Sequence, residues 1–235
     1  MRVAADAPPP AAPWQLSGDA IVAARLVPEC VARSFLPHDV SVVCVWPRRT
    51  IAVVYLARYR GSPVGEYREC IVAPALARVD GRIAFWISHI VVDSEASLRA
   101  GRSIWSLPKA FGAFSWEAAG SQARIQLTSS ELKMNSGLTA RGGWLRLPFA
   151  GPAMSRHDSV TKRFSARGTA ALAVSRGTIE LNGAGSPFAD LGFQHTRTLF
   201  VLENLRLTIG VPNELGSQAR GRPVDARDVE EDRGC

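Results

Sequence analysis

GRSIWSLPKAFGAFSW, residues 101–116, sets a lysine, Lys109, in the middle of an apolar run. Its neighbours are Ile104, Trp105, Leu107, Pro108, Phe111 and Phe114, and no acidic residue follows before Glu117. If these side chains pack, the ammonium loses much of its water. Desolvation disfavours the charged form, and a neutral amine is a nucleophile towards a ketone or aldehyde, giving a Schiff base. The competing reading is a snorkelling lysine, its stem buried and its head in water. Local residues alone favour snorkelling. The segment also punctuates the chain. A helix capped by Asp93 or Ser94, with Glu95 in its first turn, is predicted over Glu95–Ser103. It must stop before Pro108, which turns Leu107 away from helical backbone.

Composition sharpens the question. Arginine greatly outnumbers lysine, and the only lysines are Lys109, Lys133 and Lys162. Arginine neither forms a Schiff base nor loses its proton near neutral pH, whereas lysine does both. The net charge of +7 is spread over single arginines, without a zinc finger, a basic helix or an aromatic-basic run. A solvated basic surface is the better reading, and no nucleic-acid partner is expected. Apolar runs such as 51–57 and 83–92 are too short to span a bilayer. The opening MRVAADAPPPAAPW has no apolar core of a secretory signal, so no membrane partner and a cytoplasmic location are expected. Cys30, Cys44, Cys70 and Cys235 show no metal-ligand spacing, which points to no metal, no cofactor and no disulfide framework.

Working outward, strand signals dominate. Short β-branched or aromatic runs cover 20–26, 40–46, 50–59, 67–73, 83–92, 123–128, 144–149, 178–182 and 198–209, with Gly, Pro, Asp or Ser between many of them. A helix of one or two turns is bracketed by Pro28 and Pro37. The fold class is mainly β (α+β): a curved antiparallel sheet or barrel with a few short helices. Residues 1–13 read as a flexible lead, 14–215 as one domain, and 216–235 as a disordered polar tail.

The segments SPVGEYRECIVAP (62–74) and ISHIVVDSEASLRAGRSIWSLPKAFGAFSW (87–116) resemble the acetoacetate decarboxylase superfamily. The shared pattern is Gly65-x-Tyr67-x-Glu69, followed about forty residues later by Gly101-Arg102 and Pro108-Lys109. In order, the likeness runs over roughly residues 13–212. It implies a sheet closing into a cone-like β-barrel, a homo-oligomer and a small-molecule keto acid or carbonyl substrate. It makes Lys109 the Schiff-base lysine and Glu69 the acidic residue beside it, with Tyr67, Trp105 and Arg102 against the substrate. The implied reaction is decarboxylation through a Lys109 imine, or aldolase/dehydratase chemistry on the same imine. A non-catalytic binding protein on the same barrel is the reading of another class. From the residues themselves, Glu69 could equally be a strand-edge carboxylate paired with Arg68 or Arg102.

Departures from the family pattern bear on the substrate. In the decarboxylase a second lysine follows the reactive one, and its charge is offered as the cause of that lysine's reactivity. Here Ala110 follows, so an apolar setting has to act alone. By ungapped counting, a further pocket glutamate falls near Val54 and a pocket arginine near Gly18, which argues against acetoacetate itself. Of the other candidates, His89 reads as a satisfied strand residue and His157-Asp158 as a solvated loop pair. His195 stays open as a residue at a pocket mouth. Gly61-Ser62-Pro63-Val64-Gly65 lacks the helix that a serine-hydrolase elbow needs.

Overall fold

The computed structural model describes residues 8–119, 122–130, 132–139, 145–182 and 187–216. The lead expected over 1–13 lies partly outside these residues. The tail expected over 216–235 lies almost wholly outside them, with Cys235; so does Trp144.

The long opening strand β1 (Trp14–Pro28) leads into α1 (Glu29–Arg33), β2 (Ser41–Val42), β3 (Arg49–Gly61) and β4 (Tyr67–Ala73). Then come β5 (Ala75–Val79), β6 (Arg82–Trp86), β7 (His89–Val92), α2 (Glu95–Trp105) and β8 (Lys109–Ala119). The rest is β9 (Gln122–Ser129), β10 (Lys133–Thr139), β11 (Leu145–His157), β12 (Val160–Asn182), β13 (Thr198–Ile209) and β14 (Asn213–Leu215). Two 3-10 turns, Pro187–Leu191 and Phe193–His195, precede β13. The fold is mostly β.

All described strands belong to one sheet, ordered β10-β9-β8-β7-β4-β3-β1-β13-β12-β11-β6-β5-β2, with β14 off this path and paired to β12. A β10–β12 pairing closes nine of them into a ring of hydrogen bonds. Closure is possible because the 23-residue β12 pairs with β11 over Val160–Leu172 and with β10 over Arg176–Asn182. The sheet is antiparallel except for β7–β8 and β6–β11. The first parallel pair follows from α2, which carries the chain back so that β8 runs beside β7 in the same direction.

Alternation along the ring strands sorts side chains to two faces. Ala52, Val54 and Leu56 of β3, with Cys70 and Val72 of β4, join a cluster that fills the ring together with Ile125, Leu127, Met134, Ile179 and Leu199. The intervening residues Ala57, Tyr59 and Tyr67 join a second cluster on the other face, with Trp14, Leu16, Ile90, Trp105 and Leu207. β1 passes close to β3 at Gly18, where a Cβ would stand 2.0 Å from the Arg58 carbonyl oxygen. No larger residue fits there.

Several runs fold differently from their local signals. The apolar run 83–92 is two strands, because Ile87 N–H turns to Met154 O (2.8 Å) while Ser88 N–H turns to Val72 O (3.1 Å). Of 40–46, only Ser41–Val42 is a strand, and Trp46 is 65% exposed in a turn bridged to Arg49. α1 and α2 form where expected, with Ser94 as the α2 cap: its side chain accepts from Ser97 N–H (3.2 Å). Asp93 instead accepts from the Arg68 backbone N–H (2.7 Å) and guanidinium (3.0 Å). No helix among the described residues is long and apolar enough to cross a membrane.

Candidate active site

Lys109 is the first residue of β8 and pairs across the sheet with Ile90 of β7. The chain reaches it through Ser106, whose φ of 52° ends α2 in left-handed backbone. It is 4% exposed, so its head is not out in bulk solvent as a snorkelling lysine's would be. Nζ donates to Glu69 Oε2 at 2.8 Å and to Ser97 Oγ at 2.9 Å. Glu69, on β4, is 6% exposed and so no strand-edge carboxylate. Its two suggested arginine partners are engaged elsewhere. Arg68 binds Asp93, and Arg102 reaches from the exposed side of α2 to donate from Nε (2.9 Å) and Nη2 (2.6 Å) to the backbone oxygen of Lys109. Arg102 therefore braces the lysine main chain and does not line the cavity.

Helix α2 supplies the roof of the lysine channel. Ser97, Gly101 and Trp105 recur at four-residue spacing and lie on one helix face. A Cβ on Gly101 would stand 2.5 Å from Lys109 Cε, so the lysine stem runs where only glycine leaves room. Ser97 was not among the residues singled out from sequence, although its spacing to Gly101 and Trp105 carried the signal.

The pair opens onto a cavity of about 310 Å³. Tyr67 lines it, as does Trp105, whose indole N–H donates to Gly210 O (2.8 Å) and whose ring meets Trp14 edge-on at 5.1 Å. Two residues missed by sequence reasoning join them. Tyr55 and Tyr59 come from β3, and their hydroxyls are 3.1 Å apart. These are all three tyrosines of the chain. Burial pushes each phenol above the ordinary range, and the Glu69 charge adds to the effect, so each keeps its proton. Burial likewise keeps the Cys70 thiol protonated on the sheet's other face.

The positions suggested by ungapped counting do not reach the cavity. Val54 points into the ring, and the cavity-facing residues beside it are Val53 and Tyr55. Among the described residues, no arginine and no histidine lines the wall. His89 Nδ1 meets Ser88 Oγ (2.9 Å) and packs on Phe188 (4.7 Å). His157 and Asp158 form a pair 3.5 Å apart at the β11–β12 turn. His195 stays on its 3-10 turn. Among the described residues, no three His, Cys, Asp or Glu side chains gather as a metal site.

Comparison with known proteins agrees with this architecture. Residues 3–138, more than half of the chain, match the family model described as acetoacetate decarboxylase. The acetoacetate decarboxylase of Legionella pneumophila superposes with a TM-score of 0.62 at 14% identity, over 88% of each chain. An acetoacetate decarboxylase-like enzyme from Sphingomonas wittichii gives 0.61 at 15% identity, over 87% of this chain and 93% of that one. The enduracididine biosynthesis enzyme MppR, solved with the condensation product of pyruvate and imidazole 4-carboxaldehyde, gives 0.55 at 16% identity, over 88% and 90%. Among curated proteins, the rice protein NEOXANTHIN-DEFICIENT 1 is 30% identical over 103 residues, 44% of this chain and 34% of its own length. The tomato protein of that name is 27% identical over 126 residues, 54% of this chain and 42% of its own. The chain thus spans less than half the length of these curated relatives. It belongs to the acetoacetate decarboxylase family.

Proposed function

We propose that this member of the acetoacetate decarboxylase family is a Schiff-base lyase that decarboxylates a keto acid through an imine on Lys109. One observation carries the reading: the buried Lys109–Glu69 pair opens onto a cavity instead of being sealed in the core. A salt bridge kept only for folding needs no void beside it.

The pair can hold its proton on either partner, as ammonium with carboxylate or as amine with carboxylic acid, at no change in net charge. In the second form the Lys109 amine adds to the substrate carbonyl. The carbonyl oxygen leaves as water, giving a protonated imine. The bond from the α-carbon of a β-keto acid to its carboxylate then breaks. CO₂ departs, and the bonding pair flows into the imine to give an enamine. Glu69, which gives its proton to the departing oxygen, takes another from water in the cavity and passes it to the enamine carbon. Water then hydrolyses the iminium to ketone and free amine, and the proton released returns to the Glu69 carboxylate. Ser97 holds Nζ between these steps. The phenols of Tyr55, Tyr59 and Tyr67, kept protonated by burial, offer O–H donors without bringing a compensating charge. A substrate carboxylate held in such a wall is poorly solvated, which favours its loss as neutral CO₂.

The cavity volume favours a second reading on the same imine. Its enamine has room for a second carbonyl compound, so aldol condensation with loss of water is open to it. Borohydride reduction in the presence of a keto-acid panel tests both. Substrate mass on the peptide containing Lys109 is expected, and gas release separates decarboxylation from condensation. If no keto acid leaves an adduct and ligand binding survives Lys109→Ala, the chain is a binding protein.

A further inference from the structure

We infer that the compound taken up beside Lys109 is an apolar ketone or β-keto acid, its polar atoms confined to the carbonyl end and the remainder hydrocarbon. The inference rests on the imine reading above and adds the substrate class. It is carried by the division of the cavity wall. The polar side chains form one connected group. Lys109 Nζ is 5.5 Å from the Tyr67 ring centre, that ring is 4.9 Å from Tyr59, and Tyr59 reaches Tyr55. The rest is hydrocarbon or aromatic, including Leu16, Ile87, Phe149, Phe164, Leu202 and Ile209. The two indoles add no free donor, because Trp14 N–H is taken by Pro10 O (2.8 Å) and Trp105 N–H by Gly210 O.

Arginine is the commonest charged residue of the chain, yet among the described residues none lines this wall. A carboxylate, phosphate or ammonium far from the substrate carbonyl would be buried there without a partner, which strongly disfavours binding. Hydrocarbon gains by the same burial, at about fourfold in affinity for each methylene removed from water. A volume of about 310 Å³ sets the scale of the hydrocarbon that the cavity shelters. At about 30 Å³ for each small heavy-atom group, the share of a water molecule, it accommodates roughly ten heavy atoms.

The test uses the full chain with cyanoborohydride and methyl ketones from propanone to nonan-2-one, plus the ω-carboxylated counterparts of the longer ones. With only three lysines, peptide mass mapping assigns the label directly. The half-saturating ketone concentration for labelling Lys109 is expected to fall about three- to fourfold per methylene until the cavity is full. The ω-carboxylated compounds should need at least roughly tenfold more. A flat or rising dependence on length, or equal labelling by the ω-carboxylated series, overturns the inference. Displacement of an environment-sensitive fluorophore by the same ketones separates the two readings. If no ketone labels Lys109 but displacement keeps its dependence on chain length, the imine reading fails and the apolar substrate class stands. If displacement is also flat, the apolar class falls too.

Discussion

The two faces of the ring strands differ by a single step along the same backbone. On β3 and β4, one set of alternate residues (Ala52, Val54, Leu56, Cys70, Val72) fills the ring, and the other set (Tyr55, Tyr59, Tyr67, Glu69) faces the cavity. The ring interior is largely apolar, with Phe188 and Phe193 among its aliphatic residues, and is closed by strands. On the opposite face Trp105 of α2 and Phe149 of β11, with Leu16 of β1 and Leu202 of β13, stand around a void. The contrast teaches that apolar content does not distinguish a site from a core here. What distinguishes them is a connected polar group beside unfilled space. A one-residue register slip would exchange the two sets and destroy both.

That contrast breaks most completely at Lys109. Lys109→Met should lower turnover by at least roughly 10³-fold, as expected for loss of a covalent nucleophile. It also strands Glu69, and urea unfolding should show a cost of about 3–5 kcal/mol. Adding Glu69→Gln should restore much of the stability and none of the turnover. Equal stability of the single and double variants would mean the carboxyl is not buried with its partner. Next in size, Leu127→Ala inside the ring should cost about 3 kcal/mol. Phe149→Ala at the half-buried cavity wall should cost about 1 kcal/mol while weakening ligand binding. Equal losses in a denaturation series would erase the distinction between packed and unpacked faces.

Gly101→Ala sharpens the comparison from the roof. The added methyl meets the Lys109 stem at 2.5 Å, so about 1–3 kcal/mol of overpacking is expected. Imine trapping should fall by more than the loss of folded protein explains; a fall that only matches unfolding would deny the helix its role in positioning the lysine. The tyrosines report on the dry face as pH rises. Burial raises their folded pKa and makes them weaker acids, so their contribution to stability is present below the ordinary phenol value of about 10 and is lost as pH climbs towards the folded values. Absorbance at alkaline pH should show no phenolate until the chain unfolds. A phenolate signal from folded protein at about pH 10 would mean that water fills the wall. The smallest effect belongs to Ser97→Ala, about 1 kcal/mol from the lost hydrogen bond to Nζ. It should slow borohydride trapping several-fold; an unchanged rate would leave Ser97 a packing residue.

Much of the site could be read locally. Period-two spacing alone puts Tyr67 and Glu69 on one face of a strand, whereas the apolar flanks of Lys109 by themselves favour snorkelling, and only the ordered match around it points to burial. Ser94 capping α2 and the stop before Pro108 follow from the same short-range rules. What could not be read depends on register between distant segments. Tyr55 and Tyr59 reach the cavity because β3 pairs Tyr59 with Tyr67 and Ala57 with Glu69, and no local signal encodes that alignment. Only the end of β12, 178–182, reads as a strand. The segment before it, VTKRFSARGTAALAVSRG, is rich in Ala, Arg, Ser and Gly and short of the residues that favour strands, so its role is set by the neighbours it meets. Lys109–Ala119 was likewise hidden by Pro108 before it and Gly112 within it.

The β10–β12 closure has a consequence for behaviour in a crowded solution. An open sheet offers two rows of unpaired amides and carbonyls on which another chain can template its own strand. Here one end of the strand path is stitched to β12, and the other ends in the two-residue β2. An edge that remains lies on β11, where residues 145–152 pair with β12 on one side only, so strand-to-strand sticking has a seed in that stretch while the two ends of the path are stitched or short.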